Sequence, residues 1–150
     1  MSSVIALAGC SAFGAVDEPA ATSTPTISID VTPTPSESTE PGLAPEGTAA
    51  ENLAYFTAVV DEVWAGADAD AGRSYVDALV AAGFDKAAMQ VTEDMSTVGN
   101  PAESIQFSVE WGEECLVGQV GPATGDPFTV VVDALPGGGC LLGQTRPIDW

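Results

Sequence analysis

Ser104-Ile105-Gln106-Phe107-Ser108-Val109-Glu110-Trp111 alternates polar and apolar residues without a break. Side chains on a strand point to opposite faces in turn. Ile105, Phe107, Val109 and Trp111 therefore face one way, and Ser104, Gln106, Ser108 and Glu110 the other. The pattern predicts a strand in an antiparallel sheet, packed on one side and wet on the other. Gly112-Glu113-Glu114 reverses the chain into a partner strand over Cys115 to Val120, making a hairpin. Upstream, Met89 and Val91 predict a short strand, and Asn100-Pro101 marks a turn. Downstream, Gly121-Pro122 through Pro127 reads as a loop. Phe128 to Leu135 reads as a strand from its Val130-Val131-Val132 run, although Phe128, Val131, Val132 and Leu135 also fit a short buried helix. Pro136 and the glycines 137–139 form a turn, and Cys140 to Gly143 read as the last strand.

Before the sheet the period is helical. Thr48-Ala-Ala-Glu51 is a capping box, in which the hydroxyl accepts from the N3 amide and the glutamate reaches back. Leu53, Phe56, Val60, Val63 and Trp64 recur on one face, with Gly66 as the stop. A second helix runs from Gly72 to Ala82 on Val76, Leu79 and Val80, with Tyr75 at its edge. Gly83-Phe84 reads as a Schellman ending that folds Phe84 back on Leu79. Asp68 and Asp70 alternate in the loop between the helices, but a calcium loop needs more oxygen ligands and a distal glutamate. Asp70 as N-cap is the simpler account. The fold class is α+β: two N-terminal helices packed on one face of a small, mainly antiparallel sheet, after a disordered tether.

The chain carries 22 Asp and Glu against 3 Lys and Arg, a formal charge of −19. Such a chain repels phosphate backbones and lacks the basic footprint of nucleic-acid binding. Histidine is absent. That removes Ser-His and Cys-His pairs, His-ligated zinc and the usual neutral-pH base. Nothing in the sequence implies a cofactor or a metal, and no G-x-S-x-G or glycine-rich phosphate loop occurs.

The first 47 residues differ in kind. Ser11 to Gly47 is rich in Ala, Thr, Ser, Pro, Gly and Glu, with Phe13 its single aromatic. Such a segment buries too little apolar surface to offset its ordering entropy. It reads as a tether, which as a coil would span roughly 35 Å. Ile27, Ile29 and Val31 alternate with polar residues, and read either as plain linker or as a short edge strand. Thr and Ser beside Pro also suit O-glycosylation.

At the front, Leu7-Ala8-Gly9-Cys10 resembles the lipobox of bacterial lipoproteins. The resemblance implies a diacylglyceryl group on the Cys10 thiol and removal of residues 1–9 as a signal-peptide remnant. Two acyl chains suffice for stable anchoring, where one is marginal. Val4 to Ala8 is too short to span a bilayer. The nine residues before Cys10 hold no Lys or Arg, so either the natural start lies upstream or the match is accidental. With Cys10 lipidated, Cys115 and Cys140 remain in an oxidising compartment, where a leftover pair reads as a disulfide. Their spacing is no metal motif, and redox catalysis would want C-x-x-C.

The lipobox together with Ala82-Gly83-Phe84-Asp85, Ser104 to Phe107, Cys115-Leu116-Val117-Gly118-Gln119 and Thr145 to Trp150 resembles a family of uncharacterised actinobacterial lipoproteins, known only as a domain of unknown function. The resemblance covers Glu51 to Trp150. It implies residues 10–47 as lipidated cysteine and tether, 48–150 as one acidic domain on the outer face of the cytoplasmic membrane, and no reaction or ligand.

Arg146, Asp149 and Trp150 are the candidate binding edge, with Arg146 fixing an anionic group and Trp150 stacking on a sugar or peptide. The plainer account is a lock, Trp150 buried and Arg146 paired with Asp149 or the terminal carboxylate. Trp64 and Trp111 read as core. Glu113 and Glu114 could serve as acid and base in glycosidic chemistry, but glutamates are common in turns. The sequence favours a non-catalytic module that binds an envelope protein or glycan. A small wall hydrolase using carboxylates alone is the alternative, and cation binding a fainter one.

Overall fold

The computed structural model describes residues 40–150; the lipobox, most of the tether and the Ile27-Ile29-Val31 run lie outside them. Helix α1 (Ala49–Trp64) starts at the expected capping box: Glu51 N–H donates to Thr48 Oγ1 at 3.2 Å, and Thr48 N–H to Glu51 Oε2 at 2.8 Å. The hydrogen bonds from the Thr48 backbone and hydroxyl hold the Glu51 carboxyl below its usual range. Phe56 and Val60 are buried as the period requires. Asn52, which an apolar pattern passes over, is buried too. It accepts from Ala44 N–H at 2.8 Å and donates to the Ala44 and Thr48 carbonyls, both at 2.9 Å, so it ties the incoming chain to the helix.

Helix α2 (Gly72–Ala81) ends in the predicted Schellman motif. Gly83 takes φ 98°, its N–H reaches Val80 O at 3.0 Å, and Phe84 N–H reaches Leu79 O at 3.0 Å. Its start corrects the expectation. Asp70 does not cap it; Gly72 N–H donates instead to Asp94 Oδ1, 22 residues downstream, at 2.8 Å. The helix begins hard against the sheet, where a Cβ on Gly72 would meet Val91 Cγ2 at 2.7 Å, so a residue across that contact supplies the cap. Tyr75 is not at an edge either. It is fully buried, stacked on Phe107 at 4.6 Å, with its hydroxyl donating to Ala69 O at 2.9 Å. Burial, with Asp70 nearby, pushes its hydroxyl up to about 12.

Strands β1 (Met89–Val91), β2 (Ile105–Trp111), β3 (Glu114–Val120) and β4 (Phe128–Asp133) form one antiparallel sheet in chain order. Phe128 onward is therefore strand, not helix. Phe107 lies opposite Gly118, where a Cβ would sit 2.3 Å from the Phe107 ring. The bare glycine lets that ring lie across β3 and meet Tyr75 and Phe56. Ile105, Phe107, Val109, Leu116 and Val120 share one apolar cluster with Phe56, Val60, Val76, Leu79 and Phe84.

The opposite strand positions are less wet than their alternation suggests. Ser108 is 1% exposed, and Cys115 and Val117 cluster with Cys140, Leu141 and Ala134. The cover is the segment after β4, which crosses this face. Cys115 and Cys140 form a disulfide. Cys140 to Gly143 is not a strand, because the Cys140 and Leu141 amides both donate to the Gln90 side chain, at 2.6 and 3.2 Å, and not to a neighbouring backbone. The bond thus pins an irregular segment to an inner strand.

Candidate functional site

Two surfaces combine accessible side chains with a definite chemistry. The first is built by the end of the described chain. Thr145 bridges Thr92, and Arg146 N–H donates to Val91 O at 2.9 Å, so this segment runs along the outer edge of β1. Arg146 pairs with Asp94 at 2.7 Å, not with Asp149. Asp94 therefore serves two donors, the α2 amide and the Arg146 guanidinium. Trp150, half-buried, donates its indole N–H to Asp77 Oδ1 at 2.8 Å, and Lys86 donates to the Trp150 carbonyl oxygen. Arg73, from the same helical face as Asp77, pairs with that carboxylate at 3.1 Å. Burial pushes the Asp77 carboxyl up, but the hydrogen bonds from Trp150 and Arg73 outweigh it and hold the group below its usual range.

Around one indole ring stand Arg73 at 5.2 Å, Lys86 at 5.5 Å and Arg146 at 5.5 Å. These are all the Lys and Arg of the chain. Cations over an aromatic face are attracted by its quadrupole, and here two carboxylates neutralise the crowding. The sequence pointed to Arg146 and Trp150. It gave no signal for Arg73, Lys86, Asp77 or Asp94, which only the fold brings to them. Asp149 is exposed beside this cluster.

The second surface lies on the Cys115 face. Val117, Val132, Leu135, Cys140, Leu141 and Leu142 line much of a groove of about 350 Å³, which Gln106 and Asp133 complete. It borders β4, the last strand of the sheet, whose outer edge no strand pairs among the described residues. Phe128 is 58% exposed, Val132 38% and Leu142 90%. Asp133, which lines it, ends β4 opposite Glu114, and Asp126 lies two residues before β4. Of the other expected residues, Trp111 is half-buried against the main cluster and donates to Gly47 O at 2.7 Å, and Trp64 packs there too. Glu113 sits in the two-residue turn while Glu114 begins β3. Among the described residues no group of three or more Cys, Asp or Glu is disposed to hold a metal ion, and no helix is long and apolar enough to cross a membrane.

The model of the family described as "Domain of unknown function (DUF6993)" matches residues 60–144, and the chain belongs to that family. The match takes in α2, the whole sheet and both disulfide cysteines. Neither a curated protein nor a solved structure matches the chain.

Proposed function

We propose that this is a lipid-anchored extracytoplasmic protein, of an actinobacterial lipoprotein family, that binds an envelope component without catalysing a reaction. Cys10 carries the anchor, and the segment from Ser11 up to Leu43, where the chain is tied to the domain, sets it off the outer face of the membrane. The two helices form the layer that covers the Phe107 face, a reading supported by the stacking of Tyr75 and Phe56 on Phe107. That leaves for contact the part of the Cys115 face beside β4 that the segment after β4 does not cover. The observation that carries the reading is the exposed apolar strip of Phe128, Val132 and Leu142 beside a preformed groove; exposed contiguous apolar surface marks interaction sites.

The Trp150 edge supports a second contact, to an anionic glycan, because the only cations of the chain gather there. Each already holds a partner within the chain, Arg73 on Asp77, Lys86 on the Trp150 carbonyl and Arg146 on Asp94, so this contact ranks below the groove. The hydrolase reading is the weaker one. Two carboxyls, Glu51 and Asp77, are held low, the reverse of what a general acid needs.

The test has two parts. Cys10→Ser should move the protein from the membrane fraction to the medium when expressed from its natural start. A photo-crosslinking residue at Val132 should capture a discrete envelope component, and one at Glu62 on α1 should not. Retention of the Cys10→Ser protein on the membrane removes the anchor, and equal capture from both positions removes the binding surface.

A further inference from the structure

The reading of the groove as a binding surface leaves the chemistry of its occupant open, and the inference here rests on that reading. We infer that β4 takes an extended, alternately apolar and basic segment of a partner polypeptide, added to the sheet as a fifth strand. β4 ends the sheet order, so its outer backbone groups are available for strand addition. Register carries Phe128, Val130 and Val132 to the Cys115 face, with Val117 and Val130 opposite each other. Alternate apolar side chains of an added strand would extend that strip toward solvent, next to Leu142. No lysine or proline interrupts Phe128 to Asp133, so the usual protections of an exposed edge are missing from its length.

Charge decides what kind of segment fits. Every cation of this chain lies within 5.5 Å of the Trp150 ring, beside β1 at the opposite edge of the sheet. Near β4 stand Asp133 at its end, Glu114 opposite it on β3, and Asp126 two residues before the strand, with none of those bases beside them. A second copy of the chain would bring −19 against −19 and be repelled. The Ile27-Ile29-Val31 run of this chain has the alternation but carries Asp30 and no Lys or Arg. A basic partner strand gains from both the apolar strip and the carboxylates at the ends of β4.

The probe is an eight-residue peptide alternating Lys and Val, N-methylated along one edge to prevent self-assembly, titrated into the ¹⁵N-labelled full chain with its disulfide intact. Perturbations should concentrate on Phe128 to Asp133, Val117, Leu141 and Leu142. Val132→Lys, on an exposed side chain, should weaken binding about tenfold without changing the spectrum elsewhere. The inference is overturned if a Lys/Ser peptide binds equally well, if a Glu/Val peptide does, or if perturbations scatter over the acidic surface. It is also overturned if a peptide of residues 24–33 binds more tightly, if the chain dimerises through β4, or if nothing binds. Should the basic peptide fail while Val132 still crosslinks to an envelope component, the choice of partner falls and the binding-module reading stands.

Discussion

The two edges of the sheet are treated oppositely. At β1 the chain returns on itself: Thr145 and Arg146 bond to Thr92 and Val91, Arg146 pairs with Asp94, and Trp150 docks on Asp77. At β4 nothing among the described residues returns, and the side chains turned outward are Phe128 and Val132 with carboxylates at either end. An unprotected edge invites pairing with another chain. A fold that closes one edge with three cations and a tryptophan, yet leaves the other bare, has confined its sticky surface to one place. The disulfide is what links the two edges. The segment that leaves β4 is pinned at Cys140 to β3 before it reaches β1 and forms the clasp.

Removing that pin should do the most damage. Replacing Cys115 and Cys140 together by alanine is expected to lower stability by about 3 kcal/mol on the chain-entropy model. Urea denaturation measures it, and amide exchange should quicken more at Arg146 than along β4. Equal quickening at both edges would mean the bond does not serve the clasp. Trp150→Ala should cost about 2 kcal/mol, less than for a fully buried aromatic, since it removes a half-buried ring, its cations and one hydrogen bond.

A smaller effect follows from Asp77. Its carboxyl titrates lower in the folded protein than its ordinary value of 3.8, so its contribution is whole above that value and fades as pH falls toward the folded one. The stability gap between wild type and Asp77→Asn should therefore narrow from about pH 6 to about pH 3. A gap that widens instead would show the indole and Arg73 are not what holds the group. The least effect is expected at the bare edge: Val132→Lys should stay within about 0.5 kcal/mol. A loss matching that of Trp150→Ala would mean β4 is covered, and the contrast between the edges would fail.

Much of the framework was legible because local rules agreed with the global fold. Thr48 and Glu51 cap α1 whatever the sheet does, Gly83 ends α2 through its own positive φ, and alternation along Ser104 to Trp111 needs only a period of two. The misreadings occur where a local rule met a distant partner. Asp70 lost the cap of α2 to Asp94. Cys140 and Leu141 gave their amides to Gln90 and not to a strand. Ser108, polar by pattern, is buried on the face that carries the Cys115–Cys140 cluster, opposite Val117 of that cluster.

The sequence by itself determined both helices and the central hairpin, the acidity, the absence of histidine chemistry and the candidate edge of Arg146, Asp149 and Trp150, because each is a property of composition or short spacing. Only the tertiary structure decided that Arg73, Lys86 and Arg146 meet over one indole, and that the opposite edge is left apolar with carboxylates near its ends. Charges so far apart in sequence are brought together by strand order and by one covalent bond, and neither leaves a periodic trace in the chain.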